Sequence, residues 1–178
     1  MKFRSTKLAD CTVIDVQEMS DHRGFFARAW CKNEMEEAGL NPRLCQANLS
    51  FNHEKGTLRG LHYQVEPYGE AKLVRCTKGA LVDVAVDIRP GSPTFGQWHM
   101  EELTAENHRM LYIPEGFGHA FQTLTDDTEA FYLVSEFYTP GAEQGLRYDD
   151  PRFGIDWPLP VSRISEKDAS WPPFEDEA

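Results

Sequence analysis

The chain has no apolar run approaching the roughly 20 residues that a membrane-spanning helix needs, so a helical membrane protein is excluded. Cations are in short supply. Lys and Arg number 18 against 29 Asp and Glu, a net charge of −11. That balance weighs against a nucleic-acid surface, which is built on an excess of Lys and Arg, but a nucleotide ligand needs only a few placed cations. Cysteine is sparse too: Cys11, Cys31, Cys45 and Cys76 form no C-x-x-C pair, which excludes a zinc ribbon or a thioredoxin-type motif. The first residues, Met1 to Lys7, lead into no apolar segment, so a cleaved export leader is not expected. The expectation is a cytoplasmic protein with four reduced thiols, Cys76 being a small core residue in Leu73-Val74-Arg75-Cys76. No internal repeat and no linker-like stretch divides the 178 residues, so one domain over residues 1–178 is expected.

What is present reads as short strands between turns. Thr12–Val16, Leu73–Thr77, Ala80–Ile88, Gln97–Leu103, Arg109–Ile113, Ala120–Leu124 and Glu129–Tyr138 carry the β-branched, aromatic or alternating character of strands. In Ala80–Ile88 the alternation of apolar and acidic residues predicts a half-buried strand. Lys78-Gly79, Arg89–Pro93, Pro114–Gly118 and Asp126-Asp127 read as turns, and Asp21–Phe26 as a turn running into an apolar stretch. One short helix fits Lys32–Leu40, stopped by Gly39 with Pro42 beyond. The tail from Phe174 to Ala178 reads as a frayed acidic end. Strands this short, at roughly 8–12-residue spacing, predict an all-β sandwich or barrel.

Six histidines are the first candidates for chemistry. His22, His53, His99 and His108 lie among polar or turn residues and read as solvated. His62 and His119 instead lie beside Gly-bearing turns and apolar segments. Pro114-Glu115-Gly116-Phe117-Gly118-His119 has the P-x-G-x-x-H form of cupin jelly rolls, where it places a His inside the barrel. A metal-binding cupin would carry H-x-H near His62, but Gln64 stands at the second position, and two histidines make a poor site for zinc or non-haem iron. His62 then suits a general base, oriented by a carboxylate. Lys72, at the head of a strand, either stabilises an enolate oxygen or is a surface lysine. Tyr132 and Tyr138, six residues apart, fall on one face of a continuous strand, where a phenol serves as general acid or as core.

Several stretches together resemble the nucleotide-sugar 3,5-epimerase family. They are Asp21-His22-Arg23-Gly24-Phe25-Phe26, Gly60-Leu61-His62-Tyr63-Gln64, Ala71-Lys72-Leu73-Val74-Arg75, Asp83–Arg89, Gly91–Gly96, Ile113–Phe117, Asp150-Pro151, Ile155-Asp156-Trp157-Pro158 and Ser165-Glu166-Lys167-Asp168. The likeness runs from about residue 10 to 170 in consistent order. It implies a cupin-type jelly-roll barrel with short peripheral helices, no metal or other cofactor, and a homodimer whose sites are partly completed by the neighbour.

The resemblance also implies a reaction: inversion of C3 and C5 of a nucleoside-diphosphate-linked 4-keto-6-deoxyhexose. The leading case is dTDP-4-dehydro-6-deoxyglucose, in the biosynthesis of a rhamnose-type cell-surface polysaccharide. By this likeness His62 is the base, Asp168 its carboxylate partner, Lys72 the charge at the enolate oxygen and Tyr132 the acid. Arg23, Phe26, Gln46, Asn48, Arg59, His119 and Tyr138 fall where the family contacts nucleotide, diphosphate or sugar. The chain departs from the family pattern at Arg28, Ala47, Glu70 and Leu133, and the first three of these leave the nucleobase open. The alternatives are a single-site epimerase or 3,4-ketoisomerase on another nucleotide sugar, and a non-catalytic sugar-nucleotide-binding cupin.

Overall fold

A computed structural model of the chain describes residues 1–174. Two antiparallel sheets face each other as a cupin-type jelly roll. The larger, in spatial order, consists of β1 (Lys2–Ser5), β2 (Thr12–Asp15), β10 (Met110–Ile113), β7 (Lys72–Lys78), β12 (Thr128–Val134) and β5 (Gln46–Asn52). The smaller consists of β13 (Glu143–Gly145), β6 (Leu58–Gln64), β11 (Phe117–Thr123), β8 (Ala80–Asp87) and β9 (Trp98–Thr104). A separate hairpin of β3 (Met19–Asp21) and β4 (Gly24–Phe26) is exposed along its whole length. The helices are α1 (Lys32–Glu37) and α2 (Glu166–Ala169), and no helix is long and apolar enough to cross a membrane.

Side chains alternate across each strand, so one set of positions fills the space between the sheets. From the larger sheet come Val13, Leu111, Ile113, Val74, Cys76 and Ala130; from the smaller, Leu81, Ala85, Leu103, Phe117 and Phe121. The reverse face of the larger sheet packs Ile14, Leu73, Met110 and Tyr112 against Met35 of α1 and Leu40. The reverse face of the smaller sheet packs Leu61, Val84, Val86 and Ala120 under the C-terminal segment, through Leu146, Phe153, Ile155 and Trp157. This covering segment, residues 146–174, is hereafter the strap.

Burial on both faces changes the meaning of the acidic alternation in β8. Leu81 to Asp87 are all buried, so Asp83 and Asp87 point into the protein rather than into solvent. Each has a partner there: Asp83 has His119, and Asp87 has Arg89 at 2.9 Å with hydrogen bonds from Ser92 and Thr94. Pro114–Gly118 is a shorter turn than expected, because β11 already begins at Phe117. Strand β12 stops at Val134, so Tyr138 lies beyond it, more than half exposed, and shares no strand face with Tyr132.

The helix at Lys32–Glu37 ends as the sequence expects, with Gly39 just past its C-cap at φ +73°. Strands β5, β6 and β13 carry polar and glycine residues that hide their periodicity. Phe174 is not frayed: its N–H donates to Asp150 Oδ2 at 2.7 Å and its ring meets Phe153 and Phe95. Residues 175–178 of the expected acidic end lie outside the described residues.

All four cysteines are free. Burial pushes the Cys11 thiol up to about 12 and that of Cys76 to about 11, so both stay protonated as core residues. The inter-sheet core predicts a measurable cost. Leu111 is fully buried and touches both sheets' apolar layer, so Leu111→Ala should lower the unfolding free energy by about 2–5 kcal/mol. Chemical denaturation with an unchanged m-value checks it, and a loss below about 1 kcal/mol would show that the layer can collapse around the gap.

Candidate active site

One irregularity in β6 decides which of its side chains enter the barrel. His62 lies opposite His119 and Arg59 opposite Phe121, so three steps along β6 match two along β11. This is a bulge, and it brings Arg59 and His62 to the same face although an odd spacing would separate them on a regular strand. Gly60 occupies the bulge at φ +114°. A Cβ there would sit 2.4 Å from the His119 carbonyl oxygen and 2.7 Å from the Ala120 Cα, so only glycine fits.

His62 Nε2 lies 2.6 Å from Asp168 Oδ1. A carboxylate only accepts, so Nε2 carries the proton and Nδ1 keeps its lone pair. Asp168 is held by two further contacts. Its Oδ2 accepts from the Gly60 N–H at 3.2 Å, its own N–H donates to Ser165 Oγ at 3.0 Å, and that Ser caps α2. Burial raises the carboxyl's pKa, but the His62 contact, the Gly60 N–H and Ser165 outweigh it and hold Asp168 below the ordinary aspartate range.

The strap that carries Asp168 is fastened along its edge. Leu58 N–H donates to the Arg163 carbonyl at 2.8 Å, Ser162 N–H to the Gly56 carbonyl at 3.0 Å, and Arg163 forms a two-pronged pair with Glu54 at 2.9 Å. Trp171 covers Gly145, where a Cβ would fall 2.2 Å from the indole ring.

The facing sheet supplies the other half of a cavity of about 580 Å³. Tyr132 of β12 and Lys72 of β7 line it opposite His62 and His119 of the smaller sheet. Burial, with the Glu70 carboxylate next, raises the Tyr132 hydroxyl above an ordinary phenol, so it keeps its proton at neutral pH. Lys72 is buried rather than a surface lysine, and its Nζ lies 3.2 Å from Glu70 Oε1. His119 Nε2 is 2.7 Å from Asp83 Oδ1, a second histidine–carboxylate pair beside the first. Gln64 is turned to the backbone: its amide donates to the Tyr68 and Phe137 carbonyls and accepts from the Thr139 N–H at 2.8 Å. Among the described residues no three His, Cys, Asp or Glu side chains gather as a metal-ligand group.

The structure thus brings together His62, Asp168, Lys72, Tyr132, Arg59 and His119. Asn48 is cross-strand neighbour to Tyr132, and Gln46 Oε1 accepts the Tyr138 N–H at 2.8 Å, but none of these three lines the cavity. Arg23 and Phe26 stand on the exposed β3–β4 hairpin, Arg23 paired with Asp21 at 2.6 Å and Phe26 61% exposed. Among the wall residues given no role by sequence reasoning are Ser50, Glu143, Arg163 and Lys167. Glu143 and Lys167 pair across the mouth, and Ser50 Oγ is buried with no hydrogen-bond partner among the described residues. Alternate polar residues in Gln46–Asn52 were a usable signal for Ser50; the pairing of Glu143 with Lys167 had none. Of the histidines expected to be solvated, His22 and His53 are exposed. His99 and His108 are half-buried beside Glu101 at 3.2 Å and Glu18 at 3.6 Å.

Comparison with known proteins gives a consistent result. The family profile described as "dTDP-4-dehydrorhamnose 3,5-epimerase" matches residues 5–176. The dTDP-4-dehydrorhamnose 3,5-epimerase of Sinorhizobium fredii (strain NBRC 101917 / NGR234) is 44% identical over 177 residues, covering 97% of this chain and 89% of that protein. The crystal structure of the dTDP-4-dehydrorhamnose 3,5-epimerase from Elizabethkingia anophelis NUHP1 superposes with a TM-score of 0.96 at 39% identity, covering 99% of this chain and 98% of that one. A dTDP-6-deoxy-D-glucose-3,5-epimerase from Legionella pneumophila Philadelphia 1, solved in complex with dTDP-4-keto-L-rhamnose, gives 0.89 at 40% identity, covering 96% and 90%.

The lowered pKa of Asp168 has a signed consequence for stability. The folded value lies below the unfolded one, so the contact stabilises fully above the ordinary aspartate range, near pH 4, and that contribution is lost as pH falls through the folded value. Asp168→Asn should therefore lower Tm at pH 7 by more than at pH 3. Calorimetry across that range decides it, and an equal drop at both pH values would contradict the charge-based account.

Proposed function

The chain belongs to the dTDP-4-dehydrorhamnose 3,5-epimerase family of isomerases, and from that membership we propose that it inverts C3 and C5 of dTDP-4-dehydro-6-deoxyglucose, giving dTDP-4-dehydrorhamnose. The observation that carries the proposal is the division of the cavity walls. A histidine–carboxylate pair lies on one sheet, and a protonated phenol and an ammonium on the other. A 4-keto group acidifies the C–H bonds on both flanking carbons, so inversion needs a base on one face, a cation at the oxygen and an acid on the opposite face.

In this mechanism His62 Nδ1 takes the proton from carbon, with Asp168 stabilising the imidazolium. The electron pair of the broken C–H bond moves into an enolate whose negative oxygen faces Lys72. Tyr132 then gives its proton to the same carbon from the other side. His62 is left with one proton too many and the phenol one too few, and exchange with water restores both. Each inverted carbon thus acquires a hydrogen of solvent origin. Arg59 and His119 supply cavity-wall donors for the diphosphate and sugar, with Gln46, Asn48 and Tyr138 completing the nucleotide side. Local cations suffice for this, so the net charge of −11 is no obstacle.

The reading includes a homodimer. Met19, Phe25 and Phe26 on the hairpin and Leu49 on the edge strand β5 are large apolar side chains left in solvent, and β5 has an unpaired edge. In a pair of chains, Arg23 and Phe26 of one copy would complete the cavity of the other.

The first test is deuterium incorporation into dTDP-4-dehydro-6-deoxyglucose in heavy water, read by NMR or mass spectrometry, with CDP and GDP analogues alongside. Two deuterons are expected with the dTDP compound. One would make the protein a single-site epimerase, and none with any nucleotide would sink the enzymatic proposal in favour of a binding protein. His62→Ala should slow exchange by about 10²–10⁴-fold, and a variant that kept most of its rate would remove His62 as the base. Light scattering should give twice the chain mass, and a monomer that retained full activity would overturn the shared site.

A further inference from the structure

Behind the cavity wall, against Lys72, stands an ionisable side chain that the mechanism above leaves idle. Glu70 stands two residues before Lys72, where the chain enters β7. Its Oε1 is 3.2 Å from Lys72 Nζ, and its Oε2 accepts from Gln64 Nε2 at 3.3 Å. Both members of the ion pair are largely buried, with side chains 10% and 14% exposed. The backbone beside Glu70 is fixed independently of its charge: Ala71 N–H donates to Ser135 Oγ at 2.8 Å, and Ser135 N–H to the Ala71 carbonyl at 3.0 Å. The carboxylate is therefore held in place by the fold and presented to Lys72.

We propose that Glu70 is a positioning residue for the reaction, whose carboxylate fixes the Lys72 ammonium in place and in charge. The physical need is visible in the cavity wall. Arg59, Arg163, Lys167 and two histidines line the same space as Lys72, and the carboxylates of that space, Glu143 and Asp168, are engaged by Lys167 and His62, which leaves Glu70 to face the ammonium. A half-enclosed ammonium among like charges tends to shed its proton, and a neutral amine gives an enolate oxygen far less stabilisation. One carboxylate behind the lysine reverses that tendency. Glu70 thus serves the lysine on the larger sheet, as Asp168 serves the base on the smaller one.

The inference rests on the assignment of Lys72 to the reaction, so its test has an arm that needs no turnover. Glu70→Gln keeps the shape and removes the charge; Glu70→Asp keeps the charge on a shorter stem. With ¹³C-dimethylated lysines followed by NMR, and the Lys72 resonance identified by its absence in Lys72→Arg, Lys72 should titrate about one pH unit lower in Glu70→Gln than in the wild type. In Glu70→Asp it should stay near the wild-type value. The alkaline limb of kcat/KM for solvent exchange should move the same way, so that Glu70→Gln loses about tenfold relative to wild type above the limb.

A purely structural role for Glu70 predicts the reverse order, Gln harmless and Asp damaging, and that order would overturn the proposal, as would a Lys72 titration unmoved by Glu70→Gln. Should Glu70→Gln fail to fold, the wild-type and Glu70→Asp titrations decide: a Lys72 value in Glu70→Asp shifted down by a full unit despite the retained charge refutes the role. Absence of exchange in the wild-type enzyme would instead overturn the epimerase proposal, and the NMR titration would still report on Glu70.

Discussion

The hydrogen bond between His62 and Asp168 joins residues 106 positions apart and is the contact on which the site depends. Its two ends are placed by unrelated devices. Gly60 lets β6 bulge so that His62 turns into the barrel, and the strap returns over the back of the smaller sheet to deliver Asp168 on a capped turn of helix. The Gly60 N–H, a direct product of the bulge, is itself one of the groups that bind the Asp168 carboxylate. Local backbone irregularity and long-range chain return are thereby coupled, and neither end is useful without the other.

The same economy governs charge. The protein is strongly acidic, yet its cavity gathers Arg59, Lys72, Arg163 and Lys167 with two histidines. Buried carboxylates stand behind several of these: Asp168 behind His62, Asp83 behind His119 and Glu70 behind Lys72. Placing the counter-charge in the wall rather than in solvent keeps each cation at a fixed distance and limits screening by salt. It also divides the cavity between the sheets, with the histidine–carboxylate pairs on one side and Tyr132 and Lys72 on the other. An inversion through an enolate requires that division.

Much of the barrel was legible from the chain. The strands Thr12–Asp15, Lys72–Lys78, Ala80–Asp87 and Met110–Ile113 announce themselves by β-branched and alternating residues between glycine and proline turns. Others were hidden for physical reasons. Strand β5 alternates Gln, Asn and Ser with small or apolar residues, and of that polar side only Ser50 lines the cavity, so the strand mimics a loop. In β8 the aspartates read as solvent-facing, and they are buried because His119 arrives from β11 to meet Asp83 while Arg89 folds back on Asp87 from two residues beyond it. Tyr138 was given to the face of Tyr132 by a period of two that the strand abandons at Val134.

What the sequence determined by itself is the inventory and the short-range pattern. It specified an all-β chain, a histidine beside a glycine turn at 62, another in a P-x-G-x-x-H turn at 119, a lysine at the head of a strand, and enough ordered motifs to resemble one family. Tertiary structure alone decided that Arg59 and His62 share a face, that Lys72 is buried against Glu70, that Glu143 meets Lys167, and that Arg23 and Phe26 stand outside the cavity of their own chain. The reason is the range over which each is fixed. Strand periodicity and turn chemistry are set within a few residues by backbone sterics. A bulge, a buried ion pair or the return of a strap is set by what packs against it from elsewhere in the chain, and no local window of sequence contains that information.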